Sequence, residues 1–227
     1  MLNALHRFGD RLLGRGSAAI TVPVMDGALK PNRLLDDAQV IATLPGIDDL
    51  ASDGETLFAS AGSCLYRLDG DRLVEVQRFD AEITALAVRA DGSLAVALEG
   101  RCIQVHAFRN SCQRLELVAQ IYEIAGEALH CVNALEFEND DRLLVSDGSS
   151  NYNPGRWCHD LMERGHTGRV GAWNFRTKTR WLFARGQHYA LGVLSVKVGL
   201  NYRDSGRHRI VCAGKASRDV FLAGLRG

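Results

Sequence analysis

No sign of charge dominates this chain. Its 27 Lys and Arg stand against 27 Asp and Glu, mixed along the length with no basic or acidic run. The electrostatic footprint of a nucleic-acid binder is therefore missing, and a neutral or weakly charged small-molecule substrate is the expected partner. No stretch approaches the roughly 20 apolar residues of a membrane span, so no integral membrane segment is expected. The start of the chain lacks the unbroken apolar core of a signal peptide. It sets Leu2, Leu5, Leu12 and Leu13 among His6, Arg7, Asp10 and Arg11, which reads as a short amphipathic helix. A cytoplasmic location follows as the expectation, with loose apposition of that helix to a membrane as the alternative. The six cysteines (Cys64, Cys102, Cys112, Cys131, Cys158 and Cys212) form no CxxC pair and no zinc-type spacing. In or beside apolar runs, they read as buried thiols; only Cys102 and Cys112 are near enough in sequence to suggest a disulfide, given an oxidising compartment. There is no GxSxG elbow, and Gly165 to Gly171 lack the strand-to-helix setting of a phosphate loop.

What is present is glycine, 23 residues of it, between short apolar runs that make up a 46% hydrophobic chain. Such a chain has enough apolar matter for one sizeable core and many turns. A repeat organises it. The segments Asp48–Ala51, Thr84–Ala87 and Asn133–Glu136 are each followed by an acidic turn: Asp53-Gly54, Asp91-Gly92 and Asp140-Asp141. Aspartate-glycine between alternating runs is a strong hairpin signal. After each turn come an apolar strand and two further strand-like runs, and four antiparallel strands per repeat make the blade of a β-propeller. The matching leucines lie 36 residues apart (Leu50 to Leu86) and then 49 (Leu86 to Leu135), which calls for inserted loops. A fourth unit opens at Ala190–Val193, lacks the acidic turn, and shows one more strand-like run at Ile210–Cys212. The expectation is an all-β propeller of about four blades, the fourth frayed.

From Gly46 onward the sequence resembles strictosidine synthase and its relatives. The resemblance is carried by VNALEF, LLVSDGSSNY, DLMERGHTGRV and HYALGV, in that order between Val132 and Val193. VPVMDGALKPNRLLD (Val22 to Asp36) resembles the family's lead-in, and HRIVCAGKASRDVFLAGLRG (His208 to Gly227) resembles a late stretch of it. This implies residues 1–45 as N-terminal helix and lead-in, and residues 46–227 as part of a six-bladed ring truncated at its C-terminus. An incomplete ring would allow self-association. The wider superfamily includes paraoxonases and gluconolactonases, which hold calcium in a central channel and hydrolyse lactones or esters. The plant enzyme joins an amine and an aldehyde without a metal, through a late Glu that this sequence does not reach.

Aligning the repeats puts Asp48, Thr84, Asn133 and Leu191 at one position, at the start of the innermost strand, where side chains converge on the propeller axis. Asp48 and Asn133 match two calcium ligands of the relatives, and their oxygens are of the hard kind that Ca²⁺ takes. Two such ligands would hold the ion weakly, and Leu191 stands where the family has an Asn. Asp48 could equally cap a turn, and Asn133 could bind a neighbouring backbone amide. His130 is the candidate general base beside Asn133, or an ordinary strand-entry residue; His106 and His188 sit near blade edges. Ser146 to Ser150 reads best as a hydroxyl-rich strand end holding a loop. The insert Asn151–Thr167 predicts a short helix that serves either as a lid or as cover for a sheet edge. A lactonase- or esterase-type hydrolase is the first functional expectation, a non-catalytic binding propeller the second, and amine–aldehyde condensation the third.

Overall fold

The computed structural model describes residues 36, 38–108, 115–196, 199–213 and 218–223. The amphipathic N-terminal helix, the Val22–Asp36 lead-in apart from its last residue, and Cys112 lie outside them. Contacts divide the chain into two units, Met1–Val40 and Ile41–Gly227, and the second carries every described strand.

Four antiparallel sheets of four strands follow one another. The first blade is β1 (Ile47–Ser52), β2 (Leu57–Ala61), β3 (Cys64–Asp69) and β4 (Arg72–Arg78). The second is β5 (Ile83–Val88), β6 (Leu94–Leu98), β7 (Cys102–Phe108) and β8 (Leu115–Ile121). A two-stranded hairpin, β9 (Glu123–Ile124) and β10 (Glu127–Ala128), comes next. The third blade is β11 (Val132–Asn139), β12 (Arg142–Asp147), β13 (Gly168–Asn174) and β14 (Arg180–Gln187). The fourth is β15 (Ala190–Val196), β16 (Gly199–Asp204), β17 (Arg209–Ala213) and β18 (Arg218–Ala223). The described residues form four blades of a β-propeller, as the repeat predicts.

The expected fraying of the fourth blade is corrected: its sheet has all four strands, β15 to β18 in order. Its turn is not acidic, and β18 opens on two charged residues before a short apolar run. The long step between repeats is explained by the β9–β10 hairpin. Its turn residues Ala125 and Gly126 both have positive φ, and Ile124 presses on Gly171 of β13, where a Cβ would lie 2.7 Å from the Ile124 methyl.

The acidic turns work as anticipated. Asp53 Oδ1 accepts the amides of Glu55 and Thr56 at 2.9 and 2.7 Å, and Asp91 Oδ1 accepts Ser93 N–H at 2.9 Å. Strand alternation then sends side chains to both faces of each blade. Leu94 and Val96 pack towards Phe58 and Leu65 of the first blade, while Ala95 and Ala97 pack towards Leu143 and Val145 of the third. Leu144 points the other way, to Leu200, Tyr202 and Val211 of the fourth. Strand β6 is accordingly buried at all five positions. Each of these three apolar seams joins successive blades; among the described residues no such cluster joins the fourth blade to the first.

Five cysteines are free thiols, Cys102 among them, so the structure does not support its pairing with Cys112. Cys64 and Cys131 are buried as expected; Cys158 is exposed, which corrects the reading of all six as buried. Burial pushes the Cys131 thiol up to about 11.

Candidate functional site

The inner strands β1, β5, β11 and β15 stand side by side, and a cavity of about 730 Å³ opens where their first residues converge. Asp48, Thr84, Asn133 and Leu191 all line it. The repeat alignment therefore identified one residue of the wall in every blade.

The four residues do different things. Thr84 Oγ1 donates to Val132 O at 2.7 Å and accepts Gly100 N–H at 3.2 Å, so its hydroxyl already makes two bonds. Asn133 Nδ2 donates to Ala190 O at 2.8 Å, a carbonyl rather than an amide, and its Oδ1 is buried without a hydrogen-bond partner in the protein. Leu191 offers no polar atom. Asp48 has no side-chain partner among the described residues. Its neighbour Asp49 is the structural one of the pair: Oδ2 accepts Leu86 N–H at 2.8 Å, tying the first blade to the second.

His130 does not line the cavity. Its backbone N–H is bonded to Asp147, which also accepts Cys131 N–H at 2.7 Å. His106 is buried against Phe79 and bonded to Gln104 at 3.0 Å. His188 lies against His166, ring centroids 5.1 Å apart, and its pKa is lowered by burial and by Arg207.

One end of the cavity is covered by the insert. Pro154 opens a 3₁₀ turn that leads into helix α1 (Trp157–Met162). Trp157 and Leu161, one helical turn apart, both face the cavity. On the opposite side of α1, Asp160 is buried and accepts Ser149 Oγ–H at 2.8 Å. Ser149 Oγ also accepts the amides of Asn151 and Tyr152 at 3.1 Å each. The hydroxyl-rich strand end thus anchors the insert, as its composition suggested, and the insert forms a wall of the cavity. Tyr189 completes the aromatic part, with its ring centroid 5.7 Å from that of Trp157. Its φ of 65° is a left-handed conformation unusual for a bulky residue. Burial raises its phenol pKa.

Glu82, Arg203, Ser205 and His208 also line the cavity, and sequence reasoning missed them. Glu82 was within reach, lying two residues before Thr84 at the same strand entry. Arg203 and His208 belong to the hairpin region of the fourth blade, where the repeat pattern faded.

Among the described residues, no three His, Cys, Asp or Glu side chains gather closely enough to hold a metal ion, and no helix is long and apolar enough to cross a membrane. No protein-family model matches the sequence, and no curated protein matches it. Solved structures do match. A gluconolactonase from Xanthomonas campestris superposes with a TM-score of 0.61 at 17% identity, over 80% of this chain and 64% of that one. A chain of the nidogen/laminin complex superposes with a TM-score of 0.55 at 15% identity, over 79% of this chain and 64% of that one. The chain thus spans under two thirds of either structure, and at these identities the likeness is one of propeller fold.

Proposed function

We propose that the chain is a small-molecule hydrolase of the lactonase or esterase kind, working at this cavity. The observation that carries the reading is Asn133, whose Nδ2 is committed to Ala190 O, leaving Oδ1 buried and unpartnered on the cavity wall. An amide oxygen held in this way suits a hard cation or a substrate hydroxyl. Asp48 and Glu82 add two carboxylates. The three side chains fit part of a calcium shell, the other ligands being water and substrate, since the ion takes six to eight oxygens. Bound there, calcium would polarise the ester or lactone carbonyl and acidify the attacking water.

The protein's own groups do the rest. Trp157, Leu161 and Tyr189 cover the apolar part of the substrate and exclude bulk water. Glu82 is the base we assign to the attacking water, and His130 is given no part. Glu82 takes a proton from the water, the water oxygen bonds to the carbonyl carbon, the bond to the alkoxy oxygen breaks, and the departing alkoxide takes the proton back from Glu82, giving acid and alcohol. The ordered phrases from Val132 to Val193 favour kinship with strictosidine-synthase-like propellers, and the gluconolactonase likeness favours lactone opening over amine–aldehyde condensation.

A non-catalytic binding propeller is the second reading. It is favoured by Thr84, whose hydroxyl is already engaged, and by Leu191, which offers no ligand. A lactone and aryl-ester panel with and without calcium, alongside calcium-dependent melting, separates the two. Turnover that disappears in an Asp48→Ala, Asn133→Ala double variant supports the hydrolase. Absence of both turnover and calcium stabilisation rejects it.

A further inference from the structure

The charges of the cavity are sorted by side. Asp48 and Glu82 come from the first two blades, Arg203 and His208 from the fourth. None of the four side chains has a hydrogen-bond or ion-pair partner among the described residues. Several arginines of the blades are paired: Arg169 is held by Asp147 and Glu127, Arg89 by Asp91, and Arg209 by Asp204, whereas Arg67 of β3 is unpaired like Arg203. Arg203 and His208 are thus exposed side chains on a cavity wall without a hydrogen-bond or ion-pair partner among the described residues.

Their backbone positions are fixed. Arg203 is in β16, paired with Gly192 on one side and Ile210 on the other. His208 follows the 3₁₀ turn Ser205–Arg207 with φ of 50°. That turn is stapled to the strand entry, Ser205 N–H donating to Tyr189 O at 3.1 Å and Gly206 N–H to His188 O at 2.6 Å. A Cβ on Gly206 would come within 2.6 Å of His188 Cβ, so the close approach requires glycine there.

We infer that the cavity takes a substrate bearing a carboxylate, recognised by Arg203 and His208, with its apolar body on Trp157 and Tyr189. The inference rests on the reading of this cavity as the functional site and narrows its substrate class to anionic esters or lactones. Guanidinium binds carboxylate with strong, directional hydrogen bonds.

The test is equilibrium binding, which needs no turnover. N-phenylsuccinamate, a carboxylate joined by a stable amide to an aromatic ring, is titrated calorimetrically against its neutral primary amide. The carboxylate is expected to bind about tenfold more tightly, the worth of one charge-assisted hydrogen bond, and to weaken with salt. An Arg203→Gln, His208→Gln variant is expected to lose that preference while binding the neutral amide as before. Equal affinity for the two probes, binding of neither, or a preference that survives in the variant overturns the proposal. A carboxylate preference in a protein without ester turnover would leave the inference standing and remove the hydrolase. Turnover indifferent to substrate charge would do the reverse.

Discussion

Thr84 and Asn133 make the same bond one blade apart. Thr84 donates to Val132 O, the carbonyl just before Asn133, and Asn133 donates to Ala190 O, the carbonyl just before Leu191. Two inner strands, β5 and β11, are thereby stitched to the next by the residue the repeat singles out. Because Thr84 Oγ1 also accepts Gly100 N–H, a Thr84→Val substitution leaves a donor and an acceptor unmatched at near-constant shape. The expected loss is about 1–3 kcal/mol by urea denaturation, with the fold retained.

Asp147 and Arg169 are register partners of β12 and β13, and Asp204 and Arg209 repeat the arrangement in the fourth blade. The third-blade pair is buried on both sides, at 3% and 4% exposure. Arg169 also donates to Ala128 O at 2.7 Å and pairs with Glu127, so it clamps the β9–β10 hairpin to the blade. Removing one partner of such a pair strands the other charge. Arg169→Met is expected to cost about 3–5 kcal/mol in chemical denaturation, and Glu127→Gln, at the exposed end, under about 1 kcal/mol.

The Arg89 side chain forks onto Asp91, Nε to Oδ1 at 2.9 Å and Nη2 to Oδ2 at 2.6 Å, and reaches Asp140 O at 2.7 Å in the next blade's turn. The guanidinium holds the Asp91 carboxyl down at about 2. A carboxyl whose pKa is depressed on folding stabilises above its unfolded value and loses that contribution as pH falls towards the folded one. The stability gap between the wild type and Asp91→Asn is therefore expected to be full at pH 7 and to close between about 4 and 2. With Asp91 half-exposed, the gap at pH 7 should stay below about 1 kcal/mol, read from melts across that pH series.

The blades were legible because their turns and strands are local. Asp53-Gly54 and Asp91-Gly92 dictate hairpins, and runs such as Leu94–Leu98 are apolar throughout because both faces are covered. The repeat position was legible for the same reason, since equivalent inner-strand residues point to one axis. What the repeat could not show is how each residue spends its polar atoms. Thr84 and Asn133 look alike as candidate ligands until the carbonyls of the next blade are in place. The fourth blade was obscured because its first hairpin lacks the acidic turn of the other blades, and with it went Arg203 and His208. His130 was chosen by closeness in sequence to Asn133, yet residues just before a strand need not share its face.

Ser149 holds the insert by bonds of one hydroxyl to Asp160, Asn151, Tyr152 and Thr167, and its loss would leave the buried Asp160 carboxylate without its 2.8 Å donor. Ser149→Ala is expected to destabilise by about 1–3 kcal/mol. It should also raise amide hydrogen exchange across residues 150–167 more than in the blades, because the helix makes little other buried contact. Uniform exchange changes over the whole chain would show that the insert is not a separately held unit.

Gly148 sits behind the cavity wall, and its missing side chain sets the position of Asn133. A Cβ there would lie 2.7 Å from Asn133 Nδ2 and 2.8 Å from the Tyr189 ring. Neither neighbour can withdraw freely: the amide is bonded to Ala190 O, and Tyr189 is held between Trp157 and Cys131, whose sulfur is 3.8 Å from its hydroxyl. Gly148→Ala should therefore cost about 1–3 kcal/mol of overpacking. The larger effect is expected on ligand binding, because relief of the clash moves Asn133 and Tyr189 together, and both line the cavity. Weakened binding of N-phenylsuccinamate and of its neutral amide by the same factor is the expected result. That pattern differs from the charge-selective loss in the Arg203→Gln, His208→Gln variant. Unchanged affinity for both probes in a folded Gly148→Ala protein would show that Asn133 and Tyr189 do not form the binding wall.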